Sequence, residues 1–171
     1  ITAEDLNVFR LPGHEQANEL VFVNGIFSSS LSTIRSEKQL IVMPLEKAAN
    51  NEYKDIVSKH LGHSSNYLKD GINALNTAFV QGGVFIYVKE KQIIPHPVYI
   101  YNITDTRAGN IFSQPRSLAY IAENSQVQFV QTFVRIGSAD GFTNEVMEIV
   151  VEKDARLEYY KIQNESSQSS S

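Results

Sequence analysis

Apolar and polar positions along the chain follow three different patterns in succession. Over residues 1–43 the apolar runs are short and irregular. Glu19-Leu20-Val21-Phe22-Val23, then Asn24-Gly25, then Ile26-Phe27 predicts a hairpin, because Asn-Gly accepts the positive φ angles of a two-residue turn. Gln39–Met43 predicts another short strand, with Ser28, Ser29, Ser30 and Ser32 in a loop between. Residues 44–80 read as helical. Pro44 suits a first helical turn, and Leu45, Ala48, Ala49, Ile56, Val57 and Leu61 fall near a 3.6-residue period that Gly62 stops. A second helix is predicted from about Ser65 to Val80, with Leu68, Ile72, Leu75 and Phe79 on one face and Gly82-Gly83 ending it.

From residue 83 to 163 the helical period disappears. Runs of β-branched and aromatic residues of strand length follow one another: Val84–Val88, Val98–Tyr101, Leu118–Ile121, Val127–Val130, Val146–Val151 and Leu157–Ile162. Alternation puts Phe85 and Tyr87 on one face of their strand, and Leu157 and Tyr159 on one face of theirs. With Phe129, these residues are expected to stack inside the fold. The segments Ile121–Val130 and Val151–Tyr160 share one layout: an apolar residue, a polar turn and an alternating strand, repeated at an offset of 30. Val88–Ile93 is a weaker copy 33 residues before Ile121. Self-similarity at such a period marks a solenoid, and strand-only units suggest the coils of a β-helix. An antiparallel sandwich is the competing arrangement, since strand–turn–strand recurs there too. The chain thus divides into an amino-terminal region of short strands and helices (1–80), a coil region (81–163) and a polar tail (164–171) expected to be mobile.

Composition narrows the function classes. The chain has 171 residues, a net charge of −4 and no cysteine. That excludes a disulfide framework, thiol catalysis and a cysteine-ligated metal site built from this chain alone. No apolar run approaches a membrane span, and no signal-peptide pattern opens the sequence. The acidic balance and the lack of a Lys/Arg cluster argue against nucleic acid. The first residue is Ile1, not Met, so a processed or excised piece is expected.

Candidate chemistry is sparse. His60 and His63 are three residues apart, a spacing that on one helical turn could face a metal, but Gly62 between them is expected to end the helix. His96 lies between Pro95 and Pro97, a stiff extended corner. No Gly-x-Ser-x-Gly elbow, phosphate loop or His-Glu-x-x-His is present. Asp70-Gly71 and Gly137–Gly141 read as turns rather than calcium loops. The six aspartates fall outside the predicted strands, and Glu148 and Glu158 are expected to face solvent. The glycosylation patterns at Asn102 and Asn164 are read as unmodified.

Asn76-Thr77-Ala78-Phe79 with Gly83–Val88 resembles the start of the core domain of the SufB/SufD family, scaffold proteins of iron–sulfur cluster assembly. Pro115-Arg116-Ser117-Leu118 with Ala122–Gln126 also resembles that family, as does Asn144–Val151 running into Asp154–Gln163. The likeness covers about residues 71–165, is nearer the SufD branch, and loosens over 1–70. It implies a right-handed parallel β-helix, mainly β, entered through a small α/β region. It implies a non-enzymatic cytoplasmic scaffold, linked to iron supply, that works with a SufB-like scaffold and a SufC-like ATPase through the full-length parent. No cofactor is expected on this chain, and an iron–sulfur cluster only transiently on the complex. No nucleic-acid or membrane partner is implied. Family members continue past Ser171, so the sequence is expected to hold the amino-terminal region and first coils. The resemblance therefore assigns no catalytic, cofactor-binding or metal-ligating residue to this chain. The alternatives are a polysaccharide-active β-helix enzyme and a generic β-solenoid interaction module.

Overall fold

A computed structural model describes residues 1–66, 70–163 and 169–170. The chain opens with a short helix, α1 (Ala3–Asn7), whose Thr2 and Asp5 form a reciprocal capping box. The predicted hairpin follows as β1 (Asn18–Val23) and β2 (Ile26–Phe27), paired antiparallel with Phe22 opposite Phe27. Asn24 and Gly25 have φ of 51° and 80°, the paired positive values that a tight turn matched to strand twist requires. Next come β3 (Leu40–Pro44), α2 (Leu45–Ala49), α3 (Lys54–His60), a 3₁₀ turn (His63–Asn66) and α4 (Gly71–Ala78). The single helix predicted over 44–62 is broken in two. The Asn51 side chain accepts the Tyr53 N–H, an Asx turn that competes with helical pairing. Part of the helix predicted from Ser65 lies outside the described residues, and its described part is α4, capped by Asp70.

The remaining strands are β4 (Val84–Val88), β5 (Val98–Asp105), β6 (Ile111–Ser113), β7 (Arg116–Ile121), β8 (Gln126–Ile136), β9 (Gly141–Thr143), β10 (Val146–Val151), β11 (Arg156–Gln163) and β12 (Ser169–Ser170). They form three sheets. The first has the order β11-β8-β5-β1-β2, the second β10-β7-β4-β3 and the third β12-β9-β6. Successive strands visit the second, first and third sheets in turn, and from β7 onward each lies parallel to its counterpart one repeat earlier. Arg116 pairs with Val146 and Gln126 with Arg156, both offsets of 30, while Phe85 pairs with Leu118 at 33. These are the offsets of the sequence repeat, and the antiparallel sandwich is excluded by the parallel pairing. The mobile tail expected over 164–171 lies outside the described residues except at Ser169–Ser170, which pair with Gly141–Phe142.

The repeat extends to the backbone of its turns. Lys91, Asn124 and Asp154 occupy equivalent places and share φ near 60° (59°, 58° and 56°). Their amides tie one turn to the next: Lys91 N–H donates to the Glu123 carbonyl and Asn124 N–H to that of Lys153.

Alternation then sorts the side chains. Between the first two sheets lies an apolar core of Leu20, Val98, Ile100 and Phe129 against Ile86, Val88, Ala119 and Ile121. Phe85 and Tyr87 do share a face, but the outer one. They stack at 6.2 Å and are covered with Leu118 and Tyr120 by Leu45 and Ala48 of α2, Val57 of α3, and Tyr53 at the start of α3. The alternation places Val84, Ile86 and Val88 inside instead. A third cluster coats the outer face of the first sheet, where Leu6, Phe9 and Leu11 of the opening segment cover Val21, Tyr101, Ile103 and Val134.

Candidate functional site

Two features stand apart from ordinary packing. The first is a polar clamp that holds α4 to the strand corner. Arg116 heads β7 and faces the helical side, where its Nε lies 3.1 Å from Glu148 Oε2 on the adjacent β10. The Gly62 N–H donates to the same carboxylate at 2.7 Å. Arg116 Nη1 donates to Asn76 Oδ1 and to Thr77 Oγ1, and the Asn76 amide donates to the Pro115 and Asn144 carbonyls at 3.1 and 2.7 Å. Asn144 in turn donates to the Ile72 carbonyl and to Gln114. Glu148 therefore does not face solvent. Burial is tolerable because charge and lone pairs are matched. Asn76, Arg116, Asn144 and Glu148, scattered over the family-like stretches, converge here. Pairwise spacing in a sequence carries no signal for such a junction, since its members lie 28 or more residues apart apart from Asn144 and Glu148.

The second feature is the end of the stack. At one end the first and second sheets finish with antiparallel strands, β2 and β3, and the third with β6. At the other, the outermost strands are β11, β10 and β12, all parallel to their neighbours. Their outer backbone groups point away from any described strand, and Val151, Tyr160 and Ile162 are exposed (46%, 52% and 42%). The inward column here also changes character. Ile100 is followed by Gln131 and then by Lys161, and Val98 by Phe129 and Tyr159. Gln131 donates to Glu145 Oε2 at 2.5 Å and accepts from the Tyr159 hydroxyl. Glu145 Oε1 is closed off from solvent and finds no hydrogen-bond partner among the described residues. Burial pushes the Glu145 carboxyl up to about 7, against the opposing pull of the Gln131 hydrogen bond and the Lys161 charge. Burial likewise raises Tyr159 to about 12, with Glu145 adding to the shift.

The remaining candidates fall into ordinary roles. His60 ends α3 with its ring 5.6 Å from that of Tyr120, and burial lowers its pKa. His63 begins the 3₁₀ turn, beyond Gly62 at φ 82°, so the two imidazoles do not share a helical turn. Among the described residues no three His, Cys, Asp or Glu side chains gather as a metal site. Glu158 bonds Gln128 and Arg156 on the outer surface. Asp105 closes β5, where its carboxylate and that of Asp5 hold Arg107, so one aspartate does sit in a strand. No described helix is long and apolar enough to cross a membrane.

Comparison with known proteins gives two matches that together cover most of the chain. Residues 10–100 match the SufBD protein N-terminal region, and residues 103–171 the SufBD core domain of the SUF system for iron–sulfur cluster assembly. The chain is 28% identical over 149 residues to the iron–sulfur cluster assembly protein SufD of Bacillus subtilis, covering 81% of this chain and 31% of that protein. It is 23% identical over 169 residues to a SufBD family protein of Synechocystis, covering 94% and 37%. A SufBD family protein of Pyrococcus horikoshii is 30% identical over 97 residues, covering 56% and 21%. The chain thus spans about a third or less of the length of these relatives.

Proposed function

This chain belongs to the SufBD family, and on that premise we propose that it is a SufD-like scaffold component of iron–sulfur cluster assembly, acting by protein–protein contact and not by catalysis. The observation that carries the reading is the match of residues 10–100 and 103–171 to the two SufBD family regions, borne on a parallel stack of repeats. We read the stacked repeats as the first coils of a right-handed parallel β-helix. Both the 30-residue offset and the strong preference of parallel crossovers for that hand support this. In the full-length protein further coils would continue from β11, and a SufB-like scaffold and a SufC-like ATPase would bind beyond them in the cytoplasm. A cluster would be held only transiently, by the complex, with no cofactor resident on this chain.

The rival polysaccharide-active enzyme needs paired carboxylates near one substrate. Glu148 is committed to Arg116, and Glu158 to Arg156 and Gln128. Co-expression of the full-length protein with SufB-like and SufC-like partners, followed by affinity capture and size-exclusion chromatography, tests the scaffold reading. A stable ternary complex is expected. Failure to retain either partner would overturn it.

A further inference from the structure

At the last described tier, a buried carboxyl feels the charge of an exposed ammonium group that rests elsewhere. Glu145, at the corner before β10, has Oε2 bonded to Gln131 and Oε1 bonded to nothing among the described residues. Lys161 pairs in register with Gln131, the residue that holds Glu145, and its charge acts on the Glu145 carboxyl. Yet the Lys161 ammonium rests over the Phe133 ring, 4.5 Å from its centre. The titratable groups acting on Glu145 are Lys161 and Tyr159, both from β11, and from β8 it meets the neutral Gln131 amide.

We propose that Glu145 and Lys161 form a proton-governed latch between the last two tiers: Lys161 lies on Phe133 while Glu145 is protonated, and moves onto Glu145 Oε1 when that carboxyl ionises. The physical drive is the mismatch between the two states. A neutral carboxyl tolerates a closed-off oxygen at modest cost, whereas a buried carboxylate with a free lone-pair face demands a charged donor. Contact with a ring at a partly exposed site is worth less than a hydrogen bond to a desolvated ion, so the ammonium exchanges partners. Ionisation then adds an ion pair between β11 and the corner before β10 to the link that Tyr159 and Gln131 make. The latch does not rest on the scaffold reading, because both of its groups belong to this chain.

The test is an NMR titration of the full-length protein from about pH 5 to 9, following the Glu145 carboxyl carbon and the Lys161 Cε and Nζ signals. Both are expected to move with one shared midpoint near 7. Lys161→Met should raise the Glu145 midpoint by about half a unit or more, and Phe133→Leu, which weakens the alternative seat, should lower it. Glu145→Gln should abolish the Lys161 step, and this comparison decides the matter if Lys161→Met does not fold. A Glu145 midpoint near the ordinary 4.5 would overturn the latch. So would a Lys161 signal that titrates unchanged in Glu145→Gln, or a Glu145 midpoint indifferent to Lys161→Met.

Discussion

Arg116 Nε stands 3.1 Å from Glu148 Oε2 across neighbouring strands, with the two side chains only 6% and 7% exposed. Removing one partner leaves the other charge buried and unmatched. Glu148→Ala is therefore expected to destabilise the chain by about 3 kcal/mol or more in urea unfolding. The double replacement Arg116→Met with Glu148→Leu should recover part of that loss, because it removes both buried charges, while the Arg116–Asn76 and Gly62–Glu148 hydrogen bonds stay lost. A single Glu148→Ala variant as stable as the parent would mean the pair is not buried as described.

Gly83 has φ 103°, and a Cβ there would lie 1.9 Å from the Arg116 carbonyl oxygen. Two strands pass so closely that only a hydrogen fits. Gly83→Ala is expected to abolish folding, or to lower stability by about 3 kcal/mol or more. Gly71→Ala, at the first residue of α4 with no heavy atom within 4 Å of its Cβ, should leave stability unchanged or raise it by up to about 1 kcal/mol. Thermal unfolding of the two variants side by side measures the contrast.

The three equivalent turns make a graded prediction. Lys91 holds φ 59° with a long side chain that gains nothing from it, whereas Asn124 at 58° is a residue that tolerates this region. Lys91→Gly should stabilise by about 0.5 kcal/mol or more, and Asn124→Ala should cost about 1 kcal/mol. Equal effects from Asn124→Ala and Asn124→Gly would show that the turn is not in the left-handed region.

Two carboxyls give pH dependences of opposite sign. Glu145 is pushed up to about 7 in the folded chain from an ordinary 4.5. Its contribution is thus full below about pH 4.5 and is lost as pH rises to about 7. Asp105 is held below its ordinary 3.8 by the Arg107 hydrogen bond, so its contribution is present above that value and lost as pH falls further. Stability measured against pH should therefore decline from about pH 5 to 7, and Glu145→Gln should flatten that limb alone. Arg107→Ala should flatten the acid limb.

The strands from Val84 onward were legible because alternation and β-branching are local signals, and their repeat was legible because 30-residue spacing survives translation into structure. What the pattern could not reveal was which side of a strand faced which layer. Phe85 and Tyr87 are as apolar as Val84 and Ile86, and only the docking of α2 and α3 made their face an interior one. The short strands β6 and β9 were missed because three residues give no period, and Ile111-Phe112-Ser113 pairs only through its counterpart Gly141-Phe142-Thr143. The helix break at Asn50-Asn51 was hidden because apolar spacing does not register a side chain bonding its own backbone. Glu148 looked solvent-facing since its partner Arg116 is 32 residues away. The clamp exists only once Asn76, Arg116, Asn144 and Glu148 are brought together.

The parallel pairing of the repeats makes the stack directional in time as well as in space. From β7 onward each strand pairs with one made about 30 residues before it, so each of these tiers can settle on a finished surface as it leaves the ribosome. A chain built this way can fold from its amino terminus outward, each tier laid on one already made.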